Sequence, residues 1–156
     1  METNENLIEV LNDLIKINND RIDGYEKASD EIKATDVELQ AMFQKMGNDS
    51  RDHARELSNA VVKIGGEPAT DTTISGKIYR TWMDVKAAFA RKDRLSVLEA
   101  CEFGEDAAQR AYEAALSSDA EMNAETRQMI MDQKASLKTS HDIVKKYRDL
   151  HETIES

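Results

Sequence analysis

The chain has 156 residues, about the size of one ordinary domain and enough to bury a core. Its formal net charge of −10, from 31 Asp and Glu against 21 Lys and Arg, argues against nucleic acid or anionic lipid as a partner, because both select clustered cations. Six Gly and a single Pro among 40% hydrophobic and 33% charged residues fit long helices, since Gly and Pro punctuate loops and strands.

No stretch approaches the roughly 18 apolar residues of a membrane span. The opening Met1-Glu2-Thr3-Asn4-Glu5-Asn6 lacks the basic and apolar regions of a signal peptide. A lone Cys101 excludes an internal disulfide framework. Together these features point to a cytoplasmic protein.

In the first segment, Ile8, Leu11, Ile15, Asn18, Ile22, Tyr25, Ser29 and Ile32 alternate at spacings of three and four, the seam of a helix packed against helices. Leu7 and Leu14 widen the stripe, Thr3 can cap its start, and the helix is expected over about 4–33. Thr35-Asp36-Val37-Glu38 reads as a capping box for a second helix after almost no loop, so that helix runs antiparallel to the first. Its seam carries Leu39, Met42 or Phe43, Met46, Ser50, His53, Leu57, Ala60 or Val61, and Ile64. Gly65-Gly66-Glu67-Pro68 stops it.

After a polar loop over 65–76, Ile78, Trp82, Val85 and Phe89 recur at helical spacing, predicting a short amphipathic helix over about 77–90. Arg91-Lys92-Asp93 separates it from a helix over about 94–117, with Leu95, Leu98, Glu102, Glu105, Gln109, Tyr112 and Leu116 on one face. Ser118-Asp119-Ala120-Glu121 reads as a second capping box. The last helix carries Met122, Met129 or Ile130, Gln133, Leu137, Ser140 or His141, Val144, Tyr147, Leu150 and Ile154. Two tight hairpins joined by one long crossover give an all-α, antiparallel four-helix bundle of ferritin-like type, with residues 1–156 as a single domain.

The run from Leu11-Asn12-Asp13-Leu14 through Gly24-Tyr25-Glu26 resembles a bacterial family of ferritin-like four-helix-bundle proteins of unknown function. So do Glu56-Leu57 through Gly65-Gly66-Glu67-Pro68, Trp82-Met83-Asp84-Val85-Lys86, and Cys101-Glu102-Phe103-Gly104-Glu105-Asp106-Ala107-Ala108. The resemblance spans nearly the whole chain. It implies small cytoplasmic proteins of ferritin-like fold, and it brings no catalytic residues to transfer.

Polar residues on the seams predict a layer near mid-bundle. If the first hairpin pivots near 35–36, Asn18 faces His53; if the second pivots near 119–120, Glu105 lies near Lys134 and hence near Gln133. Ser50 and Glu102 lie a turn away. Ferritin-like di-iron centres need a Glu from each of two helices and Glu-x-x-His from each of the other two. Here the second helix offers Ser50-Arg51-Asp52-His53 and the last offers Lys138-Thr139-Ser140-His141, so Glu is missing from both motifs. Only Glu102 and Glu105, with His53, remain as candidate metal ligands, too few to cage two iron ions. The layer is therefore expected to be structural, its members hydrogen-bonding one another and fixing helix register, with no cofactor.

His141 and His151 read as core-edge or surface residues, Cys101 as a buried inert thiol, and the core-spaced Met42, Met46, Met122 and Met129 as gap fillers. Three readings follow. The first is a non-enzymatic bundle acting by its surface or by self-association. The second is a metal-dependent oxidase or ferroxidase using Glu102, Glu105 and His53, with iron or another divalent metal. The third is a stress-linked partner-binding module with the Trp82 strip as its candidate surface; otherwise the strip of Trp82 and Phe89 either caps the bundle or makes a dimer contact.

Overall fold

The computed structural model of the protein describes residues 2–31, 37–71 and 94–155. Among these the secondary structure is wholly helical: α1 (Glu2–Glu31), α2 (Val37–Lys63), α3 (Arg94–Leu116) and α4 (Ala124–Glu155). The capping box at Thr35, the helix expected over 77–90 and the Trp82 and Phe89 strip lie outside the described residues. No helix among the described residues is long and apolar enough to cross a membrane.

Each helix buries a seven-residue repeat, because steps of three and four keep one stripe facing inward. In α1 the stripe is Leu7, Leu11, Leu14, Asn18, Arg21 and Tyr25; in α2 it is Leu39, Met42, Met46, Ser50, His53, Leu57 and Val61. In α3 it is Leu98, Cys101, Glu105, Ala108, Tyr112 and Ala115, and in α4 Ile130, Gln133, Leu137, Ser140 and Val144. On α3 the stripe sits one residue earlier than the Glu102, Gln109 and Leu116 expected from sequence. The inward residues Cys101, Ala108 and Ala115 are small and mark a seam only weakly.

α1 packs chiefly on α2 and α3 on α4, and the two pairs meet along α1/α3 and α2/α4. One apolar cluster joins Tyr25, the start of α2 (Leu39, Met42, Phe43, Met46), the start of α3 (Leu98, Cys101) and the far part of α4 (Val144). The other joins the first half of α1, the end of α2 (Leu57, Val61), the end of α3 (Tyr112, Ala115) and the start of α4 (Ile130, Leu137). Among the described residues, α2 and α3 thus point the same way, and α1 and α4 point the other way.

The helix ends explain the register. α1 begins at Glu2, so Thr3 lies inside its first turn instead of capping it. α2 closes as expected: Gly65 adopts φ 86°, its N–H reaches Val62 O at 3.0 Å, and the Gly66 N–H reaches Val61 O at 2.9 Å. The second hairpin differs from expectation. Ser118 Oγ donates to Ala115 O at 2.7 Å and finishes α3, while Asn123 Oδ1 accepts from the Thr126 N–H at 2.7 Å and caps α4. The turn is therefore longer, and α4 is displaced against α3 by about one turn from the spacing alone.

Beyond Gly66 the chain lies along α1. A Cβ on Gly66 would stand 2.9 Å from Ile8. Asn12 donates to Glu67 O at 3.1 Å and accepts from the Ala69 N–H at 2.8 Å, and Asn19 donates to Asp71 O at 3.0 Å. Residues 66–71 thus climb α1 from the level of Ile8 to that of Asn19.

Candidate functional site

The polar side chains between the two apolar clusters form two tiers. In the first, Asn18 Nδ2 donates to Tyr112 Oη at 2.8 Å and Tyr112 donates to Gln133 Oε1 at 2.7 Å. Gln133 Nε2 then reaches the backbone O of His53 at 3.3 Å, so all four helices meet at this height. In the second tier the Arg21 guanidinium, fully buried, donates through Nη2 to Glu105 Oε1 at 2.5 Å and through Nη1 to Ser50 Oγ. The Tyr25 hydroxyl donates to the same carboxylate oxygen. Arg21 also lies 5.4 Å from the centre of the Tyr25 ring, which stacks on Phe43.

Four atoms of these tiers are buried without a hydrogen-bond partner among the described residues: Asn18 Oδ1, Arg21 Nε, His53 Nδ1 and Glu105 Oε2.

Asn18, His53, Glu105 and Gln133 are all buried near mid-bundle, but of the four only Gln133 and His53 bond directly, through the His53 backbone O, and Asn18 reaches Gln133 through Tyr112. The hairpin of α1 and α2 has the expected register, with Arg21 opposite Ser50 a turn from Asn18 and His53. The α3/α4 register differs, because α4 starts at Ala124. Gln133 therefore meets Tyr112 instead of Glu105, and Lys134 O accepts from Gln109 at 3.0 Å. Glu105 takes its partners from α1.

Sequence reasoning missed Arg21 because it followed Ile22, the apolar neighbour. Leu7, Leu11, Leu14, Asn18 and Tyr25 already define a strict repeat that falls on position 21, and that regularity was the available signal. A buried cation there matches the lone buried carboxylate on α3.

The electrostatics of the tiers follow from burial and from the Arg21–Glu105 pair. Burial is the largest influence and would pull the Arg21 pKa down, but Glu105, Tyr25 and Tyr112 together outweigh it and the guanidinium is held above its usual value. Burial and then Glu105 push the Tyr25 hydroxyl well above its ordinary range, and burial raises Tyr112. The His53 imidazole is lowered to about 4 by burial and by the nearby Arg21 charge, so it is neutral at pH 7. Cys101 is raised by burial and by Glu105, leaving it an inert thiol.

Glu102 stands at the edge, not in the layer. It pairs with Arg148 of α4. A turn along α3, Asp106 Oδ1 lies 2.6 Å from His141 Nε2. Among the described residues, Glu102, Asp106 and His141 bring one ligand atom each within 4.8 Å of one another; neither His53 nor Glu105 belongs to that group.

A family model described as Domain of unknown function (DUF2383) matches residues 6–118, well over half of the chain, and the protein belongs to that family. The match covers α1 through α3. No curated protein matches the chain.

Proposed function

We propose that this DUF2383 member is a ferritin-like bundle without a reaction of its own, acting through its outer surface by self-association or partner binding. In this reading an arginine–glutamate pair fills the centre where ferritin-like enzymes hold metal. The observation that carries it is Arg21. A guanidinium bonded to Glu105 and Ser50 supplies the positive charge that a buried carboxylate requires, and it does so at mid-bundle height.

The ferritin-like part rests on direction. α2 and α3 point the same way, and residues 66–71 run back along α1, a direction that suits the single long crossover of ferritin-like proteins.

The rival oxidase reading assigns metal to His53, Glu102 and Glu105. It would need the guanidinium to leave Glu105, and Glu102 to leave Arg148. Its favourable point is that His53 is neutral, the form that ligates.

Elemental analysis of protein from iron-rich cultures separates the two. The structural reading expects less than one iron per chain, and Glu105→Ala to lower the melting temperature without changing metal content. Two iron ions per chain, lost together with an oxidase activity in Glu105→Ala, would overturn it.

A further inference from the structure

The edge of the α3/α4 seam presents a second constellation, independent of the mid-bundle tiers. Glu102 and Asp106 are one turn apart on α3, so both carboxylates face the same way, and His141 of α4 meets them from the opposite helix. The side chains of Glu102 and His141 are only 14% and 19% exposed, so two of the three donors are largely withdrawn from water.

A separate contact orients the imidazole. His141 Nδ1 lies 3.2 Å from Asp142 Oδ1, a carboxylate outside the ligand group and itself paired with Lys138 at 3.0 Å. Metal-binding histidines characteristically give their distal N–H to such a carboxylate, which fixes the ring and leaves the other nitrogen as donor. Here that other nitrogen is Nε2, and it points at Asp106 and toward Glu102.

Nε2 and the Asp106 oxygen face each other at 2.6 Å, and a dication between them would add Glu102 as a third ligand. Ligand atoms about 2.0–2.2 Å from an ion stand somewhat further apart than that, so Asp106 and His141 must part slightly while Glu102 closes in. Glu102 is held by Arg148, whose guanidinium has a second partner in Asp149 at 2.9 Å, so releasing Glu102 does not strand the cation.

We propose that Glu102, Asp106 and His141 form a mononuclear site for a borderline first-row dication such as zinc, clamping α3 to α4. One imidazole with two carboxylates suits such ions better than calcium or magnesium, which prefer all-oxygen shells. Metal ligation requires deprotonated ligand atoms, so protons compete with the ion and binding weakens as pH falls.

Titrating the full chain with zinc chloride by calorimetry tests this. The expected result is one zinc per chain at pH 7.5 and at least tenfold weaker binding at pH 5.5. His141→Ala and, separately, Asp106→Asn weaken it tenfold or more with helical content by circular dichroism unchanged. His53→Ala leaves it as it was, and Arg148→Ala tightens it by releasing Glu102. Zinc affinity unchanged in both His141→Ala and Asp106→Asn would overturn the proposal, as would the absence of any saturable site.

Discussion

Two glutamates less than a turn apart on α3 are each bound by an arginine from another helix, yet their surroundings are opposites. Glu105 and Arg21 have side chains 0% and 1% exposed, within a shell of Tyr25 and Ser50. Glu102 and Arg148 are 14% and 25% exposed, and Arg148 also reaches Asp149. The chemistry is the same, so the difference isolates what burial does. Inside, each charge depends on the other, because water cannot replace a lost partner. At the edge, solvent and neighbouring charges can, so the pair contributes little and its members remain free to exchange partners.

The largest effect should come from breaking the inner pair on one side. Arg21→Met leaves Glu105 buried with only the Tyr25 hydroxyl, and should cost about 3–5 kcal/mol in urea unfolding. Adding Glu105→Leu to that variant should recover most of the loss, because two well-packed apolar side chains need no counter-charge. A single Arg21→Met variant within about 1 kcal/mol of the parent would erase the contrast between core and edge.

A smaller effect comes from His53, whose imidazole is burdened by burial and then by the Arg21 charge. Its pKa is lowered to about 4 in the folded protein, against about 6.5 in the unfolded chain. The unfolded state therefore takes up the proton first. Stability should be flat above pH 6.5, fall between pH 6.5 and 4, and level off below that as far as this group is concerned. The ring retains some contact with solvent, so we expect a loss of the order of 2 kcal/mol across the window. Urea midpoints measured from pH 7.5 to 4 should show the fall, and His53→Leu should flatten it. A parent protein with no drop in that window would mean that neither burial nor Arg21 burdens the imidazole.

The cap of α4 decides which residues the edge pair can use. Asn123→Ala removes the acceptor for the Thr126 N–H and should cost about 1 kcal/mol by thermal unfolding. The loss should be the same in the Arg21→Met background, because the cap and the inner pair share no partner.

Much of the helical layout is legible in the sequence, because Leu39 to Val61 and Ile130 to Val144 combine strong seams with clear spacing. The end of α2 is equally plain, since Gly65 takes the positive φ that stops it. Three things were hidden. The inward face of α3 is built on Cys101, Ala108 and Ala115, whose small side chains lose to Glu102, Gln109 and Leu116 in any periodicity count. Asn123 competes with Ser118 as a cap, and only the fold chooses between them; the choice shifts Gln133 from Glu105 to Tyr112. Arg21 was hidden by composition, because a charged residue on an inward stripe makes sense only once Glu105 is known to face it.

The smallest expected effect is the most telling about the edge. Glu102→Gln keeps the shape and removes the charge, so Arg148 should turn wholly to Asp149. Unfolding stability should then change by less than about 1 kcal/mol at low salt, and the difference should vanish at 1 M salt, where screening acts over a few ångströms. Arg21→Met should keep its full penalty at the same salt concentration, because water and ions do not reach the core pair. If salt relieves both variants equally, the inner guanidinium is reached by solvent and the two arginines differ in degree only. If it relieves Glu102→Gln alone, burial is what makes one glutamate a fixed part of the core and leaves its neighbour free to change partners.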